Sequence, residues 1–69
     1  MPRGGDISRL AAWVAGQAEG NRNAGLYWAA RRAIESGLDP DGLAGSALQA
    51  GLDESEALRT IDSARRASR

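Results

Sequence analysis

Apolar residues recur along this chain at the spacing of one buried stripe per helix. In the first segment Ile7, Leu10 and Val14 lie three or four positions apart, which places them on one side of an α-helix. Asp6 directly precedes the stripe, where a helix N-cap is expected. The pattern predicts a first helix over about residues 7–18.

A second stripe follows with the same period. Leu26 and Ala30 face one way, and Tyr27 lies at the edge of their stripe. Gly37 stands where a helix commonly ends in a left-handed residue. These signals predict a second helix over about residues 22–36.

The tripeptide Gly-Leu-Asp occurs twice, 14 residues apart, at 37–39 and 51–53. In the first copy Asp39 is expected to cap a helix whose first residue is Pro40, since the missing N–H of proline costs nothing at that position. A third helix is therefore predicted over about residues 40–50.

The second copy predicts a fourth helix in the same way. Asp53 and Glu56 have the spacing of a capping box, and Leu58 and Ile61 are expected to face inward. The predicted helix covers about residues 54–66.

The expected fold class is all-α, a compact bundle of four short helices joined by short turns. Sixty-nine residues make one domain, so we expect a single domain over 1–69, with 1–5 and 67–69 as frayed tails.

Composition narrows the classes of function. The chain has no cysteine and no histidine, which removes thiolate metal sites and the commonest general base. No run approaches the roughly 20 apolar residues of a membrane span, and no catalytic loop motif is present. We therefore expect a cytoplasmic, non-enzymatic protein without an intrinsic cofactor and without a membrane partner.

The core is expected to be thin. Phenylalanine is absent and alanine supplies nearly half of the apolar residues, while a chain this short buries only about 60% of its unfolded surface. Either the helices pack closely through alanine, or the fold relies on a partner.

The turn between the first two helices, Glu19–Asn23, carries the first candidate site. The first N–H groups of a helix lack intrahelical partners and attract anions. Asn21, Arg22 and Asn23 are expected to present such groups and a guanidinium to a phosphate. The alternative is an asparagine that only caps the helix while Arg22 pairs with Glu19 or is solvated.

The two tryptophans lie off the apolar stripes. Trp28 shares its side of the second helix with Arg31 and Arg32, and Trp13 follows Arg9 by one turn. An exposed tryptophan beside arginine can stack on a base or anchor a protein interface. The alternative is that both indoles pack into the bundle beneath arginines.

All nine cationic residues are arginine, and they balance nine acids. On the last helix Arg59 and Arg66 are candidates for contacts to a nucleic-acid backbone. The alternative is a solvated face with an Arg59–Asp62 pair.

The stretch 19–32, Glu-Gly-Asn-Arg-Asn-Ala-Gly-Leu-Tyr-Trp-Ala-Ala-Arg-Arg, resembles a Gly-x-Arg-Asn-x-x-Leu-x-x-Ala-Ala-x-Arg pattern. That pattern occurs in the helical domains that follow the catalytic core of replication primases and primase–polymerases of plasmids, phages and actinobacteria. The end of the chain, from Gly51-Leu52 through Glu56–Ala64, is similar to the end of such domains.

The resemblance implies a helix-bundle accessory domain of DNA replication, associated with template binding and nucleotide capture. It matches Asn21, Arg22 and Asn23 to the Gly-x-Arg-Asn element, Arg32 to the following arginine and Arg59 to the arginine of the last helix. No catalytic domain precedes the bundle in this sequence, so polymerase activity does not transfer.

The leading hypothesis is a non-catalytic domain that binds single-stranded DNA template, a nucleotide triphosphate such as ATP, or both. Its partners would be those ligands and a primase or polymerase catalytic domain. The expected contacts are Asn21, Arg22, Asn23, Trp28, Arg31, Arg32, Arg59 and Arg66.

Two alternatives stay open. One is a protein-interaction or homodimerisation module that uses Trp13 and Trp28 as anchors. The other is a double-stranded DNA binder of helix-turn-helix type with the fourth helix as reader, which the zero net charge disfavours.

Overall fold

The computed structural model describes residues 4–17 and 20–68, with side chains from residue 7 onward. Four α-helices and one 3-10 turn make up this part of the chain, which contains no strand. They are α1 (Gly4–Ala15), α2 (Arg22–Glu35), the 3-10 turn Pro40–Leu43, α3 (Ala44–Gln49) and α4 (Glu54–Ala67). The predicted all-α bundle is confirmed.

The core is small and rich in alanine, as expected. Six of its eleven buried apolar residues are alanines, and its largest fully buried side chains are Leu26, Leu43, Ile61 and Val14. Alanine lets helix backbones approach closely, so the buried stripe of α2 packs directly on α4, its most extensive neighbour. The buried residues are Val14, Leu26, Ala29, Ala30, Ala33, Leu43, Ala47, Leu52, Ala57, Ile61 and Ala64.

Each Gly-Leu-Asp copy ends one helix before it starts the next. Gly37 and Gly51 have positive φ angles of 79° and 103°, the left-handed backbone that glycine adopts without strain. The leucine N–H that follows reaches back five residues, from Leu38 to the Ala33 carbonyl at 2.8 Å and from Leu52 to the Ala47 carbonyl at 3.0 Å. Both are Schellman ends.

The aspartates of the two copies then cap the next element. Asp39 Oδ1 accepts the Asp41 N–H at 3.0 Å, and Asp53 Oδ2 accepts the Ser55 N–H at 3.2 Å and the Ser55 hydroxyl at 2.6 Å. Asp53 is therefore the N-cap, as predicted, with Ser55 and not Glu56 as its main hydrogen-bond partner.

The first predicted helix differs at both ends. α1 begins at Gly4, so Asp6 lies inside its first turn and is not the N-cap. The helix dipole favours acids in the first turn as well as at the N-cap. An aspartate near the start of an apolar stripe therefore indicates a helix start but not which of the two positions it occupies. α1 stops at Ala15 because Gly16, a poor helix former, follows. Ala18 and Glu19 lie outside the described residues.

The third predicted helix is divided. Residues 40–43 form a 3-10 turn, and only Ala44–Gln49 is α-helical. Gly42 and Gly45 weaken helical propensity on both sides of this junction.

Leu58 of α4 was expected to face inward, but 47% of its surface is exposed. The apolar stripe of α4 is narrow and consists of Ala57, Ile61 and Ala64.

The tails predicted over 1–5 and 67–69 overlap the ends of α1 and α4. Residues 1–3 and 69 lie outside the described residues, whereas Gly4, Gly5 and Ala67 belong to helices. Within the described ranges, none of the helices has the length and apolar character needed to cross a bilayer.

α2 and α4 run side by side in the same direction. Arg22, at the start of α2, contacts the chain just before α4 begins. At the opposite end, Arg65 of α4 forms ion pairs of 3.1 Å with Asp39 and 3.0 Å with Asp41, shortly after α2 ends.

A candidate nucleic-acid interface on both edges of α2

Trp13 and Trp28 meet on the surface between α1 and α2. Their ring centroids are 5.0 Å apart and the ring planes are tilted by 56°, a favourable arrangement for aromatic pairs. Trp13 remains 43% exposed and Trp28 50% exposed. The indoles therefore pack on each other rather than into the core, which the sequence left open.

Gly25 makes room for this pair. A Cβ at Gly25 would lie 3.2 Å from Cζ3 of Trp13 and 3.0 Å from Cγ of Gln17, closer than ordinary van der Waals contact. The Gln17 amide in turn donates to the Trp13 carbonyl at 3.1 Å. The absence of a side chain at Gly25 lets the indole of Trp13 lie against α2.

Arg32 covers the outer indole. Its Cζ lies 5.6 Å from the ring centroid of Trp28, within the range of a cation–π interaction. We call Trp13, Trp28 and Arg32 the tryptophan face. Arg31, expected beside Trp28 as well, lies 100° further round the helix from Arg32; it is half-buried, and its Nε is buried without a hydrogen-bond partner.

Arg22 is engaged within the fold. Its Nη1 donates to the Ala50 carbonyl at 3.2 Å, and the same nitrogen would lie 2.8 Å from a Cβ at Gly51. The guanidinium thus binds the carbonyl of the C-cap residue of α3 and covers the turn into α4. Asn21 occupies the N-cap of α2, but its side chain makes no cap hydrogen bond. The suggested pairing of Arg22 with Glu19 involves a residue outside the described ranges.

Asn23 lies on the other edge of α2, towards α4. Its Oδ1 accepts a hydrogen bond from the Thr60 hydroxyl. Beside this bond an open groove of about 640 Å³ lies on the surface where the two helices meet. We call it the α2–α4 groove; its lining residues are Gly20, Asn23, Ala24, Tyr27, Thr60 and Ser63.

The arginines of α4 differ in their surroundings. Arg66 Nη2 lies 2.7 Å from Asp62 Oδ2. Asp62 therefore pairs with Arg66, whereas the alternative of a solvated face had paired it with Arg59. Arg59 is exposed, and within residues 20–68 it takes part in no side-chain hydrogen bond or ion pair. Of the two, Arg59 is the more available cation.

The predicted site residues therefore separate into groups. Trp28 and Arg32 lie on the tryptophan face, whereas Asn23 lines the α2–α4 groove. Arg31 lies one turn beyond Tyr27 on that same edge of α2, Arg22 lies at the end of α3, and Arg66 is ion-paired. The placement leaves their ligand roles as predictions.

Sequence reasoning missed Tyr27, Thr60 and Ser63 as lining residues of one groove. Asn23 and Tyr27 are four residues apart, as are Arg59 and Ser63, so the rows on each helix were visible in the sequence. Their juxtaposition was not, because it depends on α2 and α4 lying parallel.

Among the acids whose side chains the structure describes, Asp39 and Asp53 have a shifted pKa, and both are N-caps. The Asp41 N–H and the Arg65 guanidinium lower the pKa of Asp39, and the hydroxyl and N–H of Ser55 lower that of Asp53. The hydrogen bonds that lower each pKa also hold the cap in place. Within the described residues, no three of the acidic side chains gather as a metal site would require.

Comparison of the chain with protein-family models, with curated proteins and with solved structures found no match.

Proposed function

We propose that this chain is a non-catalytic helix-bundle domain that binds single-stranded DNA, with the tryptophan face as its contact surface. The observation that carries the proposal is the pair of half-exposed indoles with Arg32 stacked over Trp28. The role in replication priming, and the association with a primase or polymerase catalytic domain, rest on the resemblance of residues 19–32 and 51–64 to primase accessory domains.

An aromatic pair beside a guanidinium suits single strands. Unpaired bases stack on aromatic rings irrespective of sequence, and each stacked base contributes roughly 1–3 kcal/mol. Arg32 supplies the positive charge for an adjacent phosphate. A duplex keeps its bases stacked internally, so this chemistry favours a single strand over a double helix.

The zero net charge limits the electrostatic contribution to DNA binding. Each phosphate that a protein neutralises needs a cation, and the salt dependence of binding reports that number. Arg32 together with Arg31 and Arg59 is consistent with a few phosphate contacts. We expect weak binding at physiological salt, with a shallow salt dependence.

The proposal also includes binding of a nucleotide triphosphate at the start of α2, although Arg22 has a competing contact there. The helix N-terminus carries no acid in its first turn, which suits an anion. Arg22, however, donates to the Ala50 carbonyl, so it would bind a triphosphate only in addition to, or in exchange for, that bond. ATP is therefore a separate arm of the test.

The test compares labelled oligothymidylate, a duplex of equal length and ATP by fluorescence anisotropy over a series of salt concentrations. We expect the single strand to bind most tightly. Trp28→Leu should weaken that binding about tenfold, as removal of one stacking platform does. Leu48→Ala is the matched control, because Leu48 is an equally exposed apolar residue on α3. Equal affinity of Trp28→Leu and wild type for the single strand would refute the proposal.

A protein-interaction function is the second candidate, favoured by the same two exposed indoles. Tryptophan is enriched among interface anchors, and the thin core suits a domain stabilised by a partner. If the emission maximum of Trp13 and Trp28 shifts with protein concentration while oligothymidylate leaves it unchanged, self-association replaces DNA binding as the function.

A further inference from the structure

The α2–α4 groove is a second surface on α2, distinct from the tryptophan face. Tyr27 and Trp28 are consecutive residues, and consecutive residues on an α-helix point about 100° apart. Trp28 therefore faces the α1 side with Trp13, and Tyr27 faces the α4 side with Thr60 and Ser63. A groove of about 640 Å³ is within the usual range for small-ligand sites.

The groove is lined by uncharged groups that can both donate and accept hydrogen bonds. Thr60 donates to Asn23 Oδ1, which leaves the two N–H donors of that amide and the lone pairs of the Thr60 oxygen for a ligand. Ser63 adds a hydroxyl, and Tyr27 adds an aromatic ring that is half-buried against the core. This set matches the edge and the face of a nucleobase.

Charges stand at the ends of the groove and not inside it. Arg59 precedes Ser63 by one turn of α4, and Arg31 follows Tyr27 by one turn of α2. Two acids of α4 are near this edge in the sequence: Glu56 precedes Thr60 by one turn, and Asp62, next to Ser63, is ion-paired with Arg66. A phosphate would be unfavourable in the uncharged centre, but phosphates on either side of a bound nucleoside would lie towards the two arginines.

We infer that the α2–α4 groove binds one unpaired nucleobase with its sugar, stacked on Tyr27 and hydrogen-bonded to Asn23, Thr60 and Ser63. The inference rests on the proposed function, because the base would belong to the same single strand that contacts the tryptophan face. A strand that crosses α2 would place neighbouring bases on its two edges.

One NMR titration of the full chain with a thymidine hexanucleotide reads both surfaces. The two indole N–H signals report the tryptophan face, and the ring of Tyr27, the single tyrosine, reports the groove together with the amides of Thr60 and Ser63. We expect all of these signals to shift along one binding curve.

Variants then separate the two surfaces. Ser63→Leu fills the groove from an exposed helix position, and Tyr27→Leu removes the ring but keeps apolar bulk. Each should weaken hexanucleotide binding about tenfold, while the indole shifts at saturation persist. Ser8→Leu, which places the same side chain on the exposed side of α1, should bind as wild type. Circular dichroism confirms that each variant is folded.

The outcomes are distinguishable. Shifts of the indoles with unchanged Tyr27, Thr60 and Ser63 signals, and wild-type affinity of Ser63→Leu and Tyr27→Leu, overturn the groove and leave the proposed function intact. No shift at any of these groups with the hexanucleotide overturns both.

Discussion

At the scale of single residues, Arg22 shows how one side chain can serve the fold where sequence suggested a ligand. Its place in a turn before α2 predicted a phosphate contact. The structure places its Nη1 3.2 Å from the Ala50 carbonyl, one of the α3 carbonyls that lack an intrahelical partner. Arg22 thus joins the start of α2 to the end of α3.

We predict that Arg22→Ala destabilises the protein by about 1–2 kcal/mol, because a partly buried carbonyl loses a charged donor. In a domain of this size that loss lowers Tm by several degrees. Thermal unfolding followed by circular dichroism measures it, with Arg59→Ala as the control for removing an exposed arginine. Equal Tm values for the two variants would show that the Ala50 contact contributes nothing.

Arg22→Ala also decides the ligand role of the residue. If the variant, at a temperature where it is folded, binds oligothymidylate and ATP at low salt as tightly as wild type, the phosphate contact predicted from the sequence is wrong.

At the scale of elements, the two glycines of the Gly-Leu-Asp copies end helices by the same backbone geometry but differ in their surroundings. A Cβ at Gly37 would meet nothing within 4 Å, whereas a Cβ at Gly51 would lie 2.8 Å from Nη1 of Arg22. Both need a positive φ, which costs a residue with a Cβ about 1–2 kcal/mol.

We predict that Gly51→Ala lowers the free energy of unfolding more than Gly37→Ala does, and that the excess disappears in an Arg22→Ala background. Chemical denaturation of wild type, Gly37→Ala and Gly51→Ala, and of the same three in the Arg22→Ala background, measures this coupling. Gly45→Ala is the opposite control, because Gly45 lies inside α3 with open space at its Cβ and should gain up to about 1 kcal/mol. A persistent excess without Arg22 would assign it to the φ of 103° alone.

At the scale of the whole molecule, the two capping aspartates connect stability to pH. Both have a folded-state pKa below the ordinary value of 3.8. A carboxylate with a depressed pKa stabilises the fold above its unfolded pKa, and that contribution is lost as the pH falls through its folded pKa. Asp39 matters twice, because it also pairs with Arg65 across the bundle.

We predict that Tm falls as the pH is lowered below about 4, and that the double variant Asp39→Asn, Asp53→Asn falls less over the same range. Asparagine is also a good N-cap, so the variant keeps its caps, whereas it loses the titration of both carboxylates and the ion pair of Asp39 with Arg65. Parallel Tm curves for the variant and wild type would place the acid sensitivity in other carboxylates.

The sequence by itself determined the number of helices and most of their bounds, because apolar spacing and capping residues act within a few positions along the chain. Residues 37–39 and 51–53 are the clearest case, since a positive-φ glycine and an N-cap aspartate work locally. Helical geometry also placed Trp13 and Trp28 off the apolar stripes, but whether the indoles pack into the bundle stayed open until the structure showed them half-exposed.

Only the tertiary structure decided what those side chains meet. The parallel packing of α2 on α4 brings Tyr27, Thr60 and Ser63 to one groove, turns Arg22 towards Ala50, and pairs Arg65 with Asp39. These contacts join residues 26 to 36 positions apart, and no local pattern encodes them. They depend on how closely alanine lets the helices approach, which is a property of the assembled core.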